Sequence, residues 1–290
     1  MIRNKKMRLG YKQINRGKAY LIFAILFILA LLWLYPYVWV IIASFKNETD
    51  ITGSGLLPTK PMTLAHYKFI LSTAAEVGRT PFGRAFINSL FISSSVSVCV
   101  LLISSLAGYA LSKHKFPGRD FLVNFVIFQM LFPSILFLIP VFLTVKNLHM
   151  IDTYQGMIIP FTASAWAVFL FYQFFKGIPN ELIESVRIDG GTEPLIIFRI
   201  MLPLSKSVTA IIGMFIFMGR WDEYLWYIVL NKNNALMPMT TVLAGYMKSY
   251  GENLGAQMAA VIFLTIPIIV LFIIFRDSFT KGITMSGLKG

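Results

Sequence analysis

The sequence predicts an all-α, polytopic membrane protein with six transmembrane helices, and three observations carry that prediction. Hydrophobic residues make up 57% of the chain and charged residues 13%, where a soluble domain has about 45–50% apolar and about 25% charged residues. Windows of roughly 20 nearly charge-free residues, the length of one hydrocarbon crossing, recur near 20–44, 86–111, 121–145, 154–175, 207–230 and 257–275. The net charge of +13 is concentrated outside those windows. Arg3, Lys5, Lys6, Arg8, Lys12, Arg16 and Lys18 crowd the first segment, 1–19, with no acidic residue among them. Further basic residues mark 112–120 and 276–290. The positive-inside rule puts these segments in the cytoplasm, so both termini are cytoplasmic and the helix count is even. A basic start of this kind is an anchor for the anionic inner leaflet rather than a nucleic-acid site.

The elements follow in order. The first crossing is too long for a signal-peptide core and no small-residue cleavage site follows it, so it is expected to stay as a membrane helix, kinked at Pro36. Residues 46–85 form an outside segment long enough for short helices of its own. Within it, Gly78 to Ala85 has the glycine spacing of a phosphate-binding loop. It carries Arg84 and Ala85 where the lysine and the metal-binding hydroxyl belong, and no predicted strand precedes it. Nucleotide binding is not expected there. The second crossing is rich in small residues (Ser93, Ser94, Ser95, Ser97, Ser104, Ser105, Ala107, Gly108, Ala110), which let helix backbones approach closely. A basic turn, Ser112 to Asp120, leads to a third crossing expected to bend at Pro133 and Pro140. Pro160 breaks the fourth. Arg220, Asp222 and Glu223 interrupt the end of the fifth, and 231–256 returns outside before the last crossing.

One transmembrane domain therefore accounts for residues 1–290. Cys99 is the only cysteine, so no disulfide forms within the chain. His66, His114 and His149 are too scattered for a metal site, and no nucleophile constellation stands out, so catalysis is not expected.

The polar stretch 180–206, within the loop 176–206, is the exception in an apolar chain. Asn180 is a good helix N-cap, and Glu181 and Glu184 put negative charge at the positive end of the helix dipole. Leu182, Ile183 and Val186 share one side at helical spacing, and Glu184, Arg187 and Gly191 fall on another. The helix ends at Gly190-Gly191, where positive backbone dihedrals are cheap. Thr192 caps a second helix with Glu193 and Pro194 in its first turn, and Leu195 to Ile200 continue it to Leu202-Pro203. A cytoplasmic hairpin with this much apolar surface is expected to be covered by a partner. The other reading, a loop lying flat on lipid headgroups, seats its acidic residues poorly on an anionic surface.

The spacing of this stretch resembles the signature of bacterial ABC-importer permeases: Glu-Ala-Ala, three residues, Gly, nine residues, Ile, one residue, Leu-Pro. The chain places Glu184-Ser185-Val186, Gly190, Ile200 and Leu202-Pro203 at those spacings, with Ser185 and Val186 replacing the two alanines. Arg187 to Gly190, Arg199 to Lys206, Ser44-Phe45-Lys46, Lys115 to Arg119 and Trp221 to Trp226 are similar to the carbohydrate branch, in particular the smaller maltose-type permease subunit. The resemblance thus spans nearly the whole chain.

It implies that the loop is a coupling-helix hairpin docking into a cleft on a separate ATPase subunit. Glu184 would be the charge contact, Gly190 the turn beside Gly191, and Arg187 and Asp189 would lie at or near the interface. It also implies a heterodimer with a homologous permease, two ATPase subunits that hold ATP and Mg²⁺, and an extracellular or periplasmic binding protein that delivers a saccharide. This chain itself would bind no cofactor, and it would work by alternating access in the bacterial inner membrane. An ion-gradient-driven secondary transporter is the alternative. It would need no docking elbow and often shows internal repeats with ionisable residues at mid-membrane; neither is seen.

Charges inside a membrane are functional candidates by default. Asp222 and Glu223, clustered with Trp221 and Tyr224, suit a saccharide: aromatic faces meet its C–H surfaces and carboxylates its hydroxyls. An aromatic belt with snorkelling charges is the competing reading. The resembling family commonly has Asn where Asp222 stands, which points to a modified or charged saccharide.

Overall fold

A computed structural model of the chain describes residues 16–53, 55–76, 81–249 and 253–287, and every regular element among the described residues is helical. The basic residues Arg3 to Lys12 and the first three residues, 78–80, of the glycine-spaced stretch lie outside them. Three helices are unbroken and apolar enough to cross a membrane: α1 (Arg16–Ala43), α4 (Phe82–Lys113) and α15 (Leu254–Gly287). Three further apolar stretches are bent helix pairs, so length and composition allow three to six crossings.

The bends have identifiable causes. After α5 (Arg119–Gln129) the chain turns by 100° before a 3-10 turn (Ser134–Phe137) and α6 (Leu138–Asn147). Pro133 sits at that break, where it has no amide to donate and disfavours helix in the residue before it. Pro140, by contrast, occupies the first turn of α6, where its missing amide costs nothing. The pair formed by α7 (Tyr154–Ile158) and α8 (Ala165–Lys176) bends by 42°, with Pro160 in the 3-10 turn between them. Side chains cap both members: Thr153 accepts from Gly156 N and Ser164 from Ala167 N. Helix α1 runs past Pro36 without a break.

By internal contacts the chain forms two compact units. The first joins residues up to His66 with Asn253–Ile262. The segment 46–85 does hold short helices: α2 (Glu48–Gly53) lies in this unit, and α3 (Ala65–Glu76) begins at its end. The Glu48 carboxylate accepts from Leu254 N and Gly255 N at 3.1 and 2.8 Å and so caps the start of α15.

The second unit, Tyr67–Glu252 with Phe263–Gly290, holds the main core. Ile92, Val96 and Val100 of α4 are buried with Phe171 and Phe175 of α8 and Ile212 of α12 (Lys206–Trp221). The small residues of the second crossing serve this packing: Ser93, Ser97, Ser104 and Ser105 are buried. A Cβ on Gly108 would stand 2.6 Å from Phe171 Cβ and 2.9 Å from Tyr172 N, so only glycine lets α4 and α8 meet there. Asn88, 2% exposed, is a polar hub that sequence reading missed. Its amide donates to the carbonyls of Ala235 and Met237 at 3.1 Å and accepts from the Tyr154 hydroxyl at 2.7 Å.

The stretch 207–230, expected as the fifth crossing, is not a single helix. Helix α12 stops at Trp221, and α13 (Leu225–Leu230) starts after a break at residues 222–224. Side chains as well as backbone close the two ends. Tyr227 Oη donates to the Arg220 carbonyl at 3.0 Å, Thr240 Oγ1 donates to the Glu223 carbonyl at 2.6 Å, and Glu223 Oε1 accepts from Trp226 N at 3.2 Å.

Candidate functional site

The stretch 180–206 forms an elbow of two helical arms. The first arm is α9 (Glu181–Ile188). It ends with Gly190 N donating to the Arg187 carbonyl at 3.0 Å and Gly191 N to the Val186 carbonyl at 2.8 Å. Those two bonds are a Schellman closure, which needs a left-handed residue at its hinge. Gly190 supplies it with φ 78°. Gly191 is needed for a different reason: a Cβ there would meet Val186 Cγ1 and stand 2.8 Å from the Val186 carbonyl oxygen.

The second arm comprises α10 (Glu193–Ile196), a π turn (Ile197–Met201) and α11 (Leu202–Leu204). The π turn precedes Pro203, whose ring crowds the carbonyl four residues back; the wider turn gives that carbonyl room. The arm then bends by 84° into α12. Ser205, fully buried, makes the bend, its amide donating to the Met201 and Leu202 carbonyls.

The two expected side-chain caps are not formed. Neither Asn180 nor Thr192 accepts from its helix's first amides. Asn180 Oδ1 instead accepts from Lys113 Nζ at 2.9 Å, because the end of α4 reaches this point and a cation is the stronger partner.

The elbow presents one polar face and one buried face. Ile183, Ile196, Ile197 and Met201 are buried in the core beneath it. Glu184, Asp189 and Gly190 are exposed, and Ile188 at the tip is 85% exposed. Arg187, although exposed, is turned back across the elbow: its Nε and Nη2 both donate to Glu193 Oε1, at 3.0 and 2.7 Å. Glu193 Oε2 in turn accepts from the Tyr109 hydroxyl at 2.6 Å and lies 3.5 Å from His114 Nε2. Burial pushes the Glu193 carboxyl upward, but Tyr109, Arg187 and His114 outweigh it and hold it below its ordinary value. The same Glu193 hydrogen bond raises the Arg187 guanidinium.

The second candidate region is the break in the fifth crossing. Trp221 is 1% exposed, stacked on Phe217, edge-on to Phe86, and its Nε1 donates to the Leu264 carbonyl at 2.8 Å. Glu223 pairs with Arg220 at 3.2 Å and caps α13. Asp222 and Tyr224 are exposed. None of these four lines the cavity of about 520 Å³ next to the break; their neighbours Arg220 and Trp226 do, together with Gln129, Ser134, Ser164 and Trp166. The Arg220 guanidinium sits 4.4 Å from the Phe161 ring centroid. Arg220, a charge interrupting an apolar window, was a sequence signal for this cavity, and Gln129, an amide inside another such window, lies in its wall as well. No group of three metal-ligating side chains comes together among the described residues.

Comparison with known proteins gives these features a common setting. The chain is 32% identical over 265 residues to the arabinooligosaccharides transport system permease protein AraQ of Bacillus subtilis, covering 90% of this chain and 92% of that one. It is 31% identical over 279 residues to the sn-glycerol-3-phosphate transport system permease protein UgpE of Yersinia pestis, covering 94% and 98%. Its fold is similar to a chain in the crystal structure of a bacterial ABC transporter involved in the import of the acidic polysaccharide alginate. There the TM-score is 0.79 and the identity 24%, over 92% of this chain and 98% of that chain. A family model matches residues 100–285, from the middle of α4 through the elbow into α15. The chain belongs to the family of binding-protein-dependent transport system inner membrane components.

Proposed function

We propose that this permease imports a sugar or oligosaccharide by alternating access, powered through its elbow by ATPase subunits that it does not itself contain. As the inner-membrane component of a transport system it is a permease subunit rather than an enzyme. Membership of that family favours the binding-protein-dependent reading over an ion-gradient-driven secondary transporter. The relatives named for arabinooligosaccharides and diacetylchitobiose support a saccharide cargo.

The observation that carries the coupling reading is the elbow tip. A rigid Schellman turn holds Ile188 out with 85% exposure, beside the exposed Glu184. An apolar knob next to a carboxylate that has no ion-pair partner among the described residues suits a cleft on a protein carrying a basic rim. Glu184, Asp189, Gly190 and Gly191 form this docking surface, and Arg187 braces it. ATP and Mg²⁺ belong to the ATPase, two copies of which serve this chain and a homologous permease.

On this reading the chain crosses the membrane six times with both termini in the cytoplasm. The arm Glu193–Leu204 is cytoplasmic rather than half of a bent crossing, because Glu193 and Arg199 lie along it. The fifth crossing is α12, the break at 222–224, and α13. The cavity beside that break is the cargo path. Its volume lies in the range of small-molecule sites, and Trp166 and Trp226 offer aromatic faces near the polar Gln129, Ser134 and Ser164. Trp221 and Glu223 hold its wall, while Asp222 and Tyr224 face the incoming cargo.

Uptake of a panel of labelled mono- and oligosaccharides, in strains with and without this chain, tests the proposal. Loss of uptake of one saccharide, reproduced when the partner ATPase is inactivated, is the expected result. Uptake that survives ATPase inactivation but stops when the ion gradient is dissipated would support a secondary transporter instead.

A further inference from the structure

Two elbow arms that meet only at a glycine turn could open and close like a hinge, and a pull on the tip would then be absorbed locally. The contacts described above oppose this. Arg187 on the first arm is tied to Glu193 on the second. The end of α4 also holds the second arm, by the Tyr109 hydroxyl on Glu193, and the entry to the first, by Lys113 on Asn180 and on the Ile178 carbonyl just before it. His114 packs edge-on against Tyr109, with ring centroids 5.3 Å apart, and faces the same carboxylate.

We infer that Tyr109 and Glu193 are the pin that transmits movement of the elbow to α4, making both of them positioning residues for the transport cycle. The inference rests on the elbow being the ATPase-docking element. It assigns to Glu193 a role distinct from that of Glu184: Glu184 faces outward to the partner and Glu193 faces inward to the membrane helix. The path beyond the pin is continuous. Helix α4 is unbroken from Phe82 to Lys113, and its Val96 lines the cavity together with Ile216 and Arg220 of α12. From Tyr109 to Val96 a rigid helix spans about 20 Å at 1.5 Å per residue. A displacement at the pin therefore reaches a wall of the cargo path without any flexible segment between. Contiguity of this kind becomes coupling only when the two ends are shown to respond together.

Helix α4 carries its own reporter, because Cys99 is the only cysteine of the chain and is half-buried. The full complex, co-expressed with its ATPase, is labelled at Cys99 with bimane, and emission is compared before and after trapping with ATP and vanadate. The unmodified chain is expected to show an emission shift on trapping. Tyr109→Phe, which removes one oxygen and keeps the ring, and Glu193→Gln are each expected to lose that shift while the ATPase stays bound and hydrolyses ATP. The double variant is expected to lose no more than either single variant, as residues acting through one contact do. An undiminished shift in both single variants, additive losses in the double variant, or no shift in the unmodified chain would overturn the pin. Failure of the ATPase to co-purify with the unmodified chain would appear before any emission is read. That result would reject the docking reading itself, and the pin with it.

Discussion

Arg187 donates twice to one carboxylate oxygen of Glu193, at 3.0 and 2.7 Å, while the other oxygen takes the Tyr109 hydroxyl. One carboxylate thus closes the elbow and fastens it to a membrane helix. The elbow is therefore a preformed part, held in shape before any partner arrives.

The charge state of Glu193 should control elbow rigidity at low pH. Tyr109 of α4, His114 just beyond its end and Arg187 of α9 face this carboxylate and hold it below its ordinary value of 4.5. A depressed carboxylate contributes stability that is complete above its unfolded value and is lost as pH falls through its folded value. Protection of the elbow amides against hydrogen exchange is predicted to be insensitive to this group from neutral pH down to 4.5 and to fall below it. Glu193→Gln should remove that acid step. Both side chains are 43% exposed, so screening keeps the effect at about 0–1 kcal/mol. An unchanged acid step in Glu193→Gln would show that another group is responsible.

The two glycines should respond differently to alanine. Gly190→Ala places a side chain at φ 78° with open space around it, a backbone cost of about 1–2 kcal/mol. Gly191→Ala drives a methyl into Val186, including its backbone carbonyl at 2.8 Å, so the turn itself must shift. Limited proteolysis of the elbow should rank Gly191→Ala as the more labile. Equal rates would mean that the close approach to Val186 is not restrictive.

Asn88 should be among the most sensitive polar positions in the chain. Asn88→Leu strands the carbonyls of Ala235 and Met237 and the Tyr154 hydroxyl. Leaving a buried polar group unsatisfied costs about 1–3 kcal/mol. Thermal unfolding in detergent should drop clearly for Asn88→Leu and little for the exposed Asp222→Asn. Similar midpoints for the two would contradict the hub.

The cavity makes a separate prediction about transport. Trp166→Ala removes an aromatic face from the cavity wall and should weaken uptake of the cargo while leaving ATPase association intact. Trp221→Ala should chiefly destabilise the fold, since its ring is buried and bonded to Leu264. Unchanged transport in Trp166→Ala, and in Asp222→Asn and Trp221→Ala as well, would remove this region from the cargo path.

Local features of the fold and site were legible in the sequence, and long-range partners were not. Apolar windows located the long apolar helices and the bent helix pairs, because burial in lipid acts on composition alone. Pro133 and Pro160 marked real bends, and Gly190-Gly191 marked the elbow, because turn chemistry is local. The clasp of Tyr109 on Glu193 spans 84 positions, and that of Asn88 on Ala235 spans 147. No periodicity encodes such a partner. For the same reason Arg187, Asn180 and Glu223 were read from their own helices, whereas each is engaged by a residue the helical pattern did not bring into view.

The central claim is that the elbow carries an external ATPase, with Glu184 as its charge contact. Co-purification of the ATPase with Glu184→Lys, beside Glu184→Gln and the unmodified chain, tests it most directly. The account predicts that the lysine variant folds normally, since Glu184 is exposed and its side chain makes no hydrogen bond or ion pair among the described residues, yet loses the ATPase and with it transport. Normal ATPase association and normal transport in Glu184→Lys would contradict it.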